Sequence, residues 1–150
     1  MTEQKYFGEV VNSSLSQWTT QAWHWNNYPE FGAIVQMTNE AEQIFGTVYF
    51  IKTGSDDPTR QTFAYQKNEQ ELILEQPQIF EFIKTNFSCV PLAYTNGEKM
   101  IYALPPRPPK IHTFVRLATK AELEKLCGQV GVVQSLFSQY AKIEYFEDPR

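Results

Sequence analysis

The chain is poor in the residues that build common active sites. It holds only two histidines and two cysteines in 150 residues, which leaves few partners for nucleophilic or metal chemistry. No GxSxG occurs, and only His24 and His112 are available to serve as a base for a serine or cysteine. Structural roles account for both. Cys89 and Cys127 stand alone among apolar neighbours and form no CxxC pair, so a zinc site or disulfide framework is excluded and free buried thiols are expected. A GxxxxGK[ST] loop is also missing. The nearest pieces, Thr53-Gly54-Ser55 and Gly97-Glu98-Lys99, lack the run of glycines whose N–H groups cradle phosphates. No catalytic, cofactor-binding or metal-ligating set is therefore expected, and the chain reads as non-enzymatic.

Positive charge is scarce too. With 13 basic and 17 acidic residues the net charge is −4, which argues against a general nucleic-acid binder, because phosphate affinity comes from clustered Lys and Arg. No apolar run approaches the length of a membrane span. The opening MTEQKYFGEV has no charged-then-apolar pattern, from which we expect a cytoplasmic protein.

What the chain does have is apolar and aromatic surface, at 42% and 15% of residues, enough for a real core in one domain or two closely packed halves. Four strands are expected early: Lys5 to Val11, Trp18 to Trp25, Phe31 to Met37 and Ile44 to Thr53. The last is apolar on both faces, with Ile44, Val48 and Phe50 opposing Phe45, Tyr49 and Ile51. Such a strand must be covered on both sides. After the Gly54 to Pro58 turn the pattern changes. Gln61 to Tyr65 is a further candidate strand, Asn68 caps a helix, and Pro77 opens another through Asn86 that would supply the missing cover. Phe87 to Tyr94 and Lys99 to Leu104 flank Asn96-Gly97 as a hairpin, with Pro91 at an edge or bulge. The proline run 105 to 109 leads to a strand at Ile111 to Ala118, a capping box at Thr119 to Glu122, a Gly128 stop and a last helix at Val132 to Tyr140.

The expected fold class is α+β, mainly β. Residues 1–58 form a small antiparallel β-barrel, and residues 59–150 an α/β extension with a hairpin and two to four short helices, packed against it.

Candidate interaction residues fall in three groups. Trp23 and Trp25 share a face on an alternating strand and can pack on a neighbouring layer or stack bases. Asp56 and Asp57 can form a turn or attract a hydrated cation. Arg107, Lys110, His112 and Arg116 are the one basic concentration, on a stiff PxxP frame that suits an anion or an acidic partner.

The segments KYFGEVV, PEFGAIVQM, IFGTVYFIKTGSDDP and LPPRPPKIHTFVRLAT resemble the HAS-barrel family, the small barrel shared by HerA-type translocation ATPases and the N-terminal part of ATP synthase catalytic-ring subunits. The closer likeness is to stand-alone bacterial members of cyanobacterial type. Gly8, Gly32 and Gly46 carry the barrel likeness over roughly the first 60 residues. In the ATPases this barrel helps the ring assemble, so the resemblance implies an assembly or docking module and no activity of its own. A protein partner or homo-oligomer is the expectation. The alternatives are a small-molecule or anion site near Arg107, Lys110 and His112, and single-stranded nucleic acid on the tryptophans.

Overall fold

Two strands of 14 residues each, β4 (Glu42–Ser55) and β5 (Ile83–Asn96), form the backbone of the fold described by the computed structural model over residues 5–128. Around them lie β1 (Tyr6–Ser13), β2 (Trp18–Ala22), β3 (Ile34–Asn39), β6 (Lys99–Ile101) and β7 (Phe114–Leu117). Two short helices, α1 (Glu69–Glu75) and α2 (Lys120–Cys127), and a 3₁₀ turn at Pro77–Glu81 complete the described residues. The strand order is β2-β1-β7-β3-β4-β5-β6, and β2 also pairs with β5. Six antiparallel strands thus close into a barrel, and β6 extends β5 outside it.

Closure depends on bulges, because a long flat strand cannot curve through a small barrel. The β4–β5 ladder skips between Phe45 and Gly46, leaving Leu92 extra, and again between Val48 and Phe50, leaving Tyr49 extra. β1 slips between Tyr6 and Gly8 and between Val10 and Asn12. Pro91 sits beside the first bulge, on β5, opposite Gly46, where its missing N–H is tolerated.

Side chains fill the interior. Val10, Trp18, Met37, Ile44, Val48, Phe87 and Val115 form one buried cluster, so the barrel is packed through its centre. The other face of β4 is buried as well: Phe45 packs with Leu92, Ala93 and Leu126 in a second cluster. The expected two-sided cover therefore exists from Ile44 to Val48, with Leu126 of α2 in the second cluster, but not beyond: the bulge at Tyr49 exchanges the faces, so Phe50 is 47% exposed and Ile51 packs on the core instead. The helix expected from Pro77 to Asn86 is only a 3₁₀ turn, and β5 begins at Ile83. There a ladder of partners from Ser55↔Ile83 to Lys52↔Asn86 outweighs the weak helical stripe.

α2 is well anchored for its eight residues. Thr119 and Glu122 form the full capping box, and Tyr102 Oη donates to the Leu126 carbonyl at 2.7 Å, satisfying one of the helix's terminal acceptors. Asn68 caps α1 as expected, accepting from the Glu71 N–H at 2.8 Å.

Several boundaries moved. Residues 1–58 supply four of the six barrel strands, and β5 and β7 supply the other two, so no barrel closes before residue 58. Antiparallel closure needs partners for both free edges, and here they come from late in the chain. β3 starts at Ile34 because Gly32, at φ +84°, turns the chain just before it, leaving Phe31 exposed. Gln61 to Tyr65 is not a strand, and the helix expected at Val132 to Tyr140 lies outside the described residues.

The two thiols differ, against the expectation that both are buried. Cys89 lies in the core, where burial pushes its pKa up, whereas Cys127 is exposed at the end of α2. One thiol per chain should react with Ellman's reagent in the folded protein and two after denaturation. Cys127→Ser should abolish the native reaction, and a native reaction that survives this change would contradict the placement.

Candidate functional site

The outer surface of β1 and β7 carries three rings in contact. Register pairs Glu9 with Phe114 and Tyr6 with Arg116, placing the first and last barrel strands side by side. The Trp23 N–H bonds the Phe7 carbonyl at 2.9 Å, which holds Trp23 beside β1 just after β2 ends. Its indole meets Phe114 edge-on, with ring centres 5.0 Å apart at 89°, and Tyr6 lies 5.8 Å from the same ring. Tyr6, Trp23, Phe114 and Leu117 are 38, 43, 50 and 51% exposed, so a contiguous apolar face remains in solvent. A groove of about 780 Å³ runs along it, lined also by Lys5, Asn27, Arg116 and Thr119.

Glu9 organises one rim. Its carboxylate accepts from Trp23 Nε1 at 3.0 Å and pairs with His112 Nδ1 at 2.6 Å. These two bonds, the His112 one first, hold its pKa below the usual carboxylate value. His112 itself is held at φ +72°, with its backbone N–H on the Val10 carbonyl at 2.7 Å. Under the groove, buried Arg116 makes a bidentate pair with Glu122 of α2, at 2.8 and 3.0 Å.

Three of the sequence-derived candidates, Trp23, His112 and Arg116, are thus brought to one place. The others are not. Trp25 leaves this face and stacks on Phe80, 5.4 Å between centres, while its carbonyl accepts from Thr85 Oγ1. The strand stops at Ala22, so alternation no longer aligns the two tryptophans, and they form no joint platform. Asp57 is engaged in its own turn: Oδ1 accepts from the Thr59 N–H and Oγ1, the hydroxyl contributing most to a lowered pKa. Asp56 is exposed, its N–H on the Phe82 carbonyl.

The basic run is not a free patch. Lys110 pairs with Glu40 at 2.7 Å, His112 with Glu9 and Arg116 with Glu122, each acid coming from a different part of the chain. Arg107 is exposed and contributes to the field that lowers the Glu40 pKa, behind the larger effect of Lys110. Pro105 and Pro109 are buried, and Asn39 Nδ2 donates to the Pro108 carbonyl, so the proline run packs on the barrel. Glu9 was missed from sequence because its role depends on register across strands over a hundred residues apart. Its place next to the inward-facing Val10 on β1 was the one available signal.

Among the described residues no group of three or more His, Cys, Asp or Glu side chains is placed to hold a metal ion, and no helix is long and apolar enough to cross a membrane. No protein-family model matches the chain, and no match is found among curated proteins.

Proposed function

We propose that the protein is a non-enzymatic β-barrel module that assembles through the Tyr6, Trp23, Phe114 and Leu117 face, with a second copy of the chain as the simplest partner. The single observation that carries this reading is that half-exposed aromatic face, bordered by a groove. Large rings with little entropy to lose are the side chains that anchor protein contacts. The charged groups beside it are already paired, which suits a contact surface better than a reacting one: Glu9 with His112, Arg116 with Glu122. The HAS-barrel resemblance points the same way, since in the ATPases that barrel serves ring assembly.

Light scattering on the purified chain tests the reading. The mass should rise toward twice the one-chain value with concentration, and Phe114→Ser should hold it at one chain, with a cooperative thermal transition kept at a modestly lower temperature because Phe114 is half-exposed and loses its contacts with Tyr6 and Trp23. The same single-chain mass is expected of Phe114→Asp, at a further cost from the Glu9 carboxylate opposite it. A wild-type chain that stays monomeric throughout, or a Phe114→Asp variant that still associates, would overturn it.

A further inference from the structure

We infer that the cleft between the 57–65 loop and the segment from α1 through the 3₁₀ turn to Ile83 is a binding site for a small flat aromatic anion. It is separate from the assembly face, shares no lining residue with the groove there, and stands whether or not that reading holds.

The cleft has a volume of about 800 Å³, within the range that small-molecule sites occupy. Its walls are aromatic on both sides. Phe63 and Tyr65 pack together at 4.5 Å on the loop, and Phe82 faces from the end of the 3₁₀ turn. Phe63 is 68% exposed, so its ring is open to a ligand at the mouth of the cleft. The loop is pinned at its base: the Asp56 N–H bonds the Phe82 carbonyl, and Asp57 binds Thr59 through two bonds. The base of the cleft, which carries Arg60, is thus held by the protein's own bonds, which lowers the entropy that this part loses on binding.

Arg60 decides the ligand's charge. Its guanidinium lies over the Phe82 ring, 4.1 Å from the ring centre, a cation–π contact that keeps the group at the cleft. Its carboxylate contact is Asp57 through Nε at 3.6 Å, beyond hydrogen-bond distance, and the other Asp57 oxygen is taken by Thr59. The terminal amino groups of Arg60 make no hydrogen bond among the described residues. They form a planar fork of the kind that takes a carboxylate, sulfonate or phosphate. A flat ring between Phe63 and Phe82 with an acidic group toward Arg60 uses every one of these features.

Two fluorescent probes with the same fused-ring body separate the contributions: anilinonaphthalene sulfonate, an anion, and N-phenylnaphthylamine, which is neutral. The anion should bind about tenfold more tightly, as a charge-assisted pair provides. Arg60→Gln should remove that advantage and leave the neutral probe unchanged, and Phe63→Ser should weaken both. Competition with naphthoate and with naphthyl phosphate then shows which acidic group is preferred. Equal binding of the two probes, or anion binding unmoved by Arg60→Gln, overturns the inference. So does anion binding lost in Phe114→Ser but kept in Phe63→Ser, which would place the probe in the assembly groove. Arg60 and Phe63 are both exposed, so neither change endangers the fold.

Discussion

Gly46→Ala is expected to destabilise the protein by about 3 kcal/mol or more, a large share of the ~5–15 kcal/mol that holds a domain of this kind. A Cβ on Gly46 would lie 2.4 and 2.5 Å from the Trp18 ring atoms Cη2 and Cζ2, and 2.8 Å from the Val90 carbonyl. Trp18 is 1% exposed at the centre of the barrel and has nowhere to retreat. Backbone shift is equally restricted, because Gly46 sits in the β4–β5 ladder opposite Pro91. At ~2–4 °C per kcal/mol for a chain of this length, the melting temperature should fall by about 6–12 °C.

The compensating change is specific. Trp18→Phe deletes the outer ring that meets the new methyl group, and also removes the Trp18 Nε1–H, which is buried with no acceptor among the described residues. Alone it should cost about 1–3 kcal/mol through the cavity it leaves. Combined with Gly46→Ala, the loss should be clearly smaller than the sum, a coupling that urea denaturation of the four proteins measures. Strict additivity, or a Gly46→Ala variant as stable as wild type, would show that Gly46 is not held against Trp18.

Glu122→Ala should cost about 3–5 kcal/mol, because it strands a buried cation. Arg116 is 5% exposed, its Nε has no hydrogen-bond partner among the described residues, and Glu122 supplies its bidentate carboxylate partner, beside one bond from Nη1 to the Leu117 carbonyl at 3.1 Å. The same carboxylate accepts from the Thr119 N–H at 2.8 Å, so the helix cap is lost with the ion pair. Glu122→Gln separates the two effects. It can keep the cap while losing the charge, and should recover about 1 kcal/mol of the loss. The double variant Arg116→Met, Glu122→Gln removes both charges and should be more stable than Glu122→Ala.

The pair also predicts the acid limb. Burial works against the Glu122 carboxylate, but the bonds from Arg116 and Thr119 outweigh it, and its pKa lies below 4.5 in the folded state. The unfolded chain therefore binds a proton more readily in this range, so stability rises with pH through it. The contribution is present above the unfolded value and is lost as pH falls through the folded one. Glu122→Gln should flatten stability against pH below about 5 relative to wild type, and an unchanged slope there would remove Glu122 from the account.

These two sites show where local pattern was enough. The capping box at Thr119 and Glu122 was legible because a cap is decided by residues three apart, and the two-sided burial of β4 from Ile44 to Val48 because strand alternation is local; past it the Tyr49 bulge exchanges the faces, exposing Phe50 and turning Ile51 onto the core, which alternation alone does not show. Arg116 was legible as a candidate but not as a buried partner of Glu122. It was grouped with Arg107 and Lys110 by nearness in sequence, whereas each of the paired cations found its own acid in the fold.

From composition and period alone came a mainly β domain, its early strands, its capped helices, and the absence of common nucleotide-binding and hydrolytic motifs. Those properties depend on neighbours a few residues apart. Tertiary structure alone decided that β5 and β7 complete the barrel, that α2 rather than the Pro77 segment covers β4, and that Trp23 joins Phe114 while Trp25 joins Phe80. The reason is closure: which edges pair, and therefore which side chains share a face, is set by competition among all strands for partners, and no local window contains it.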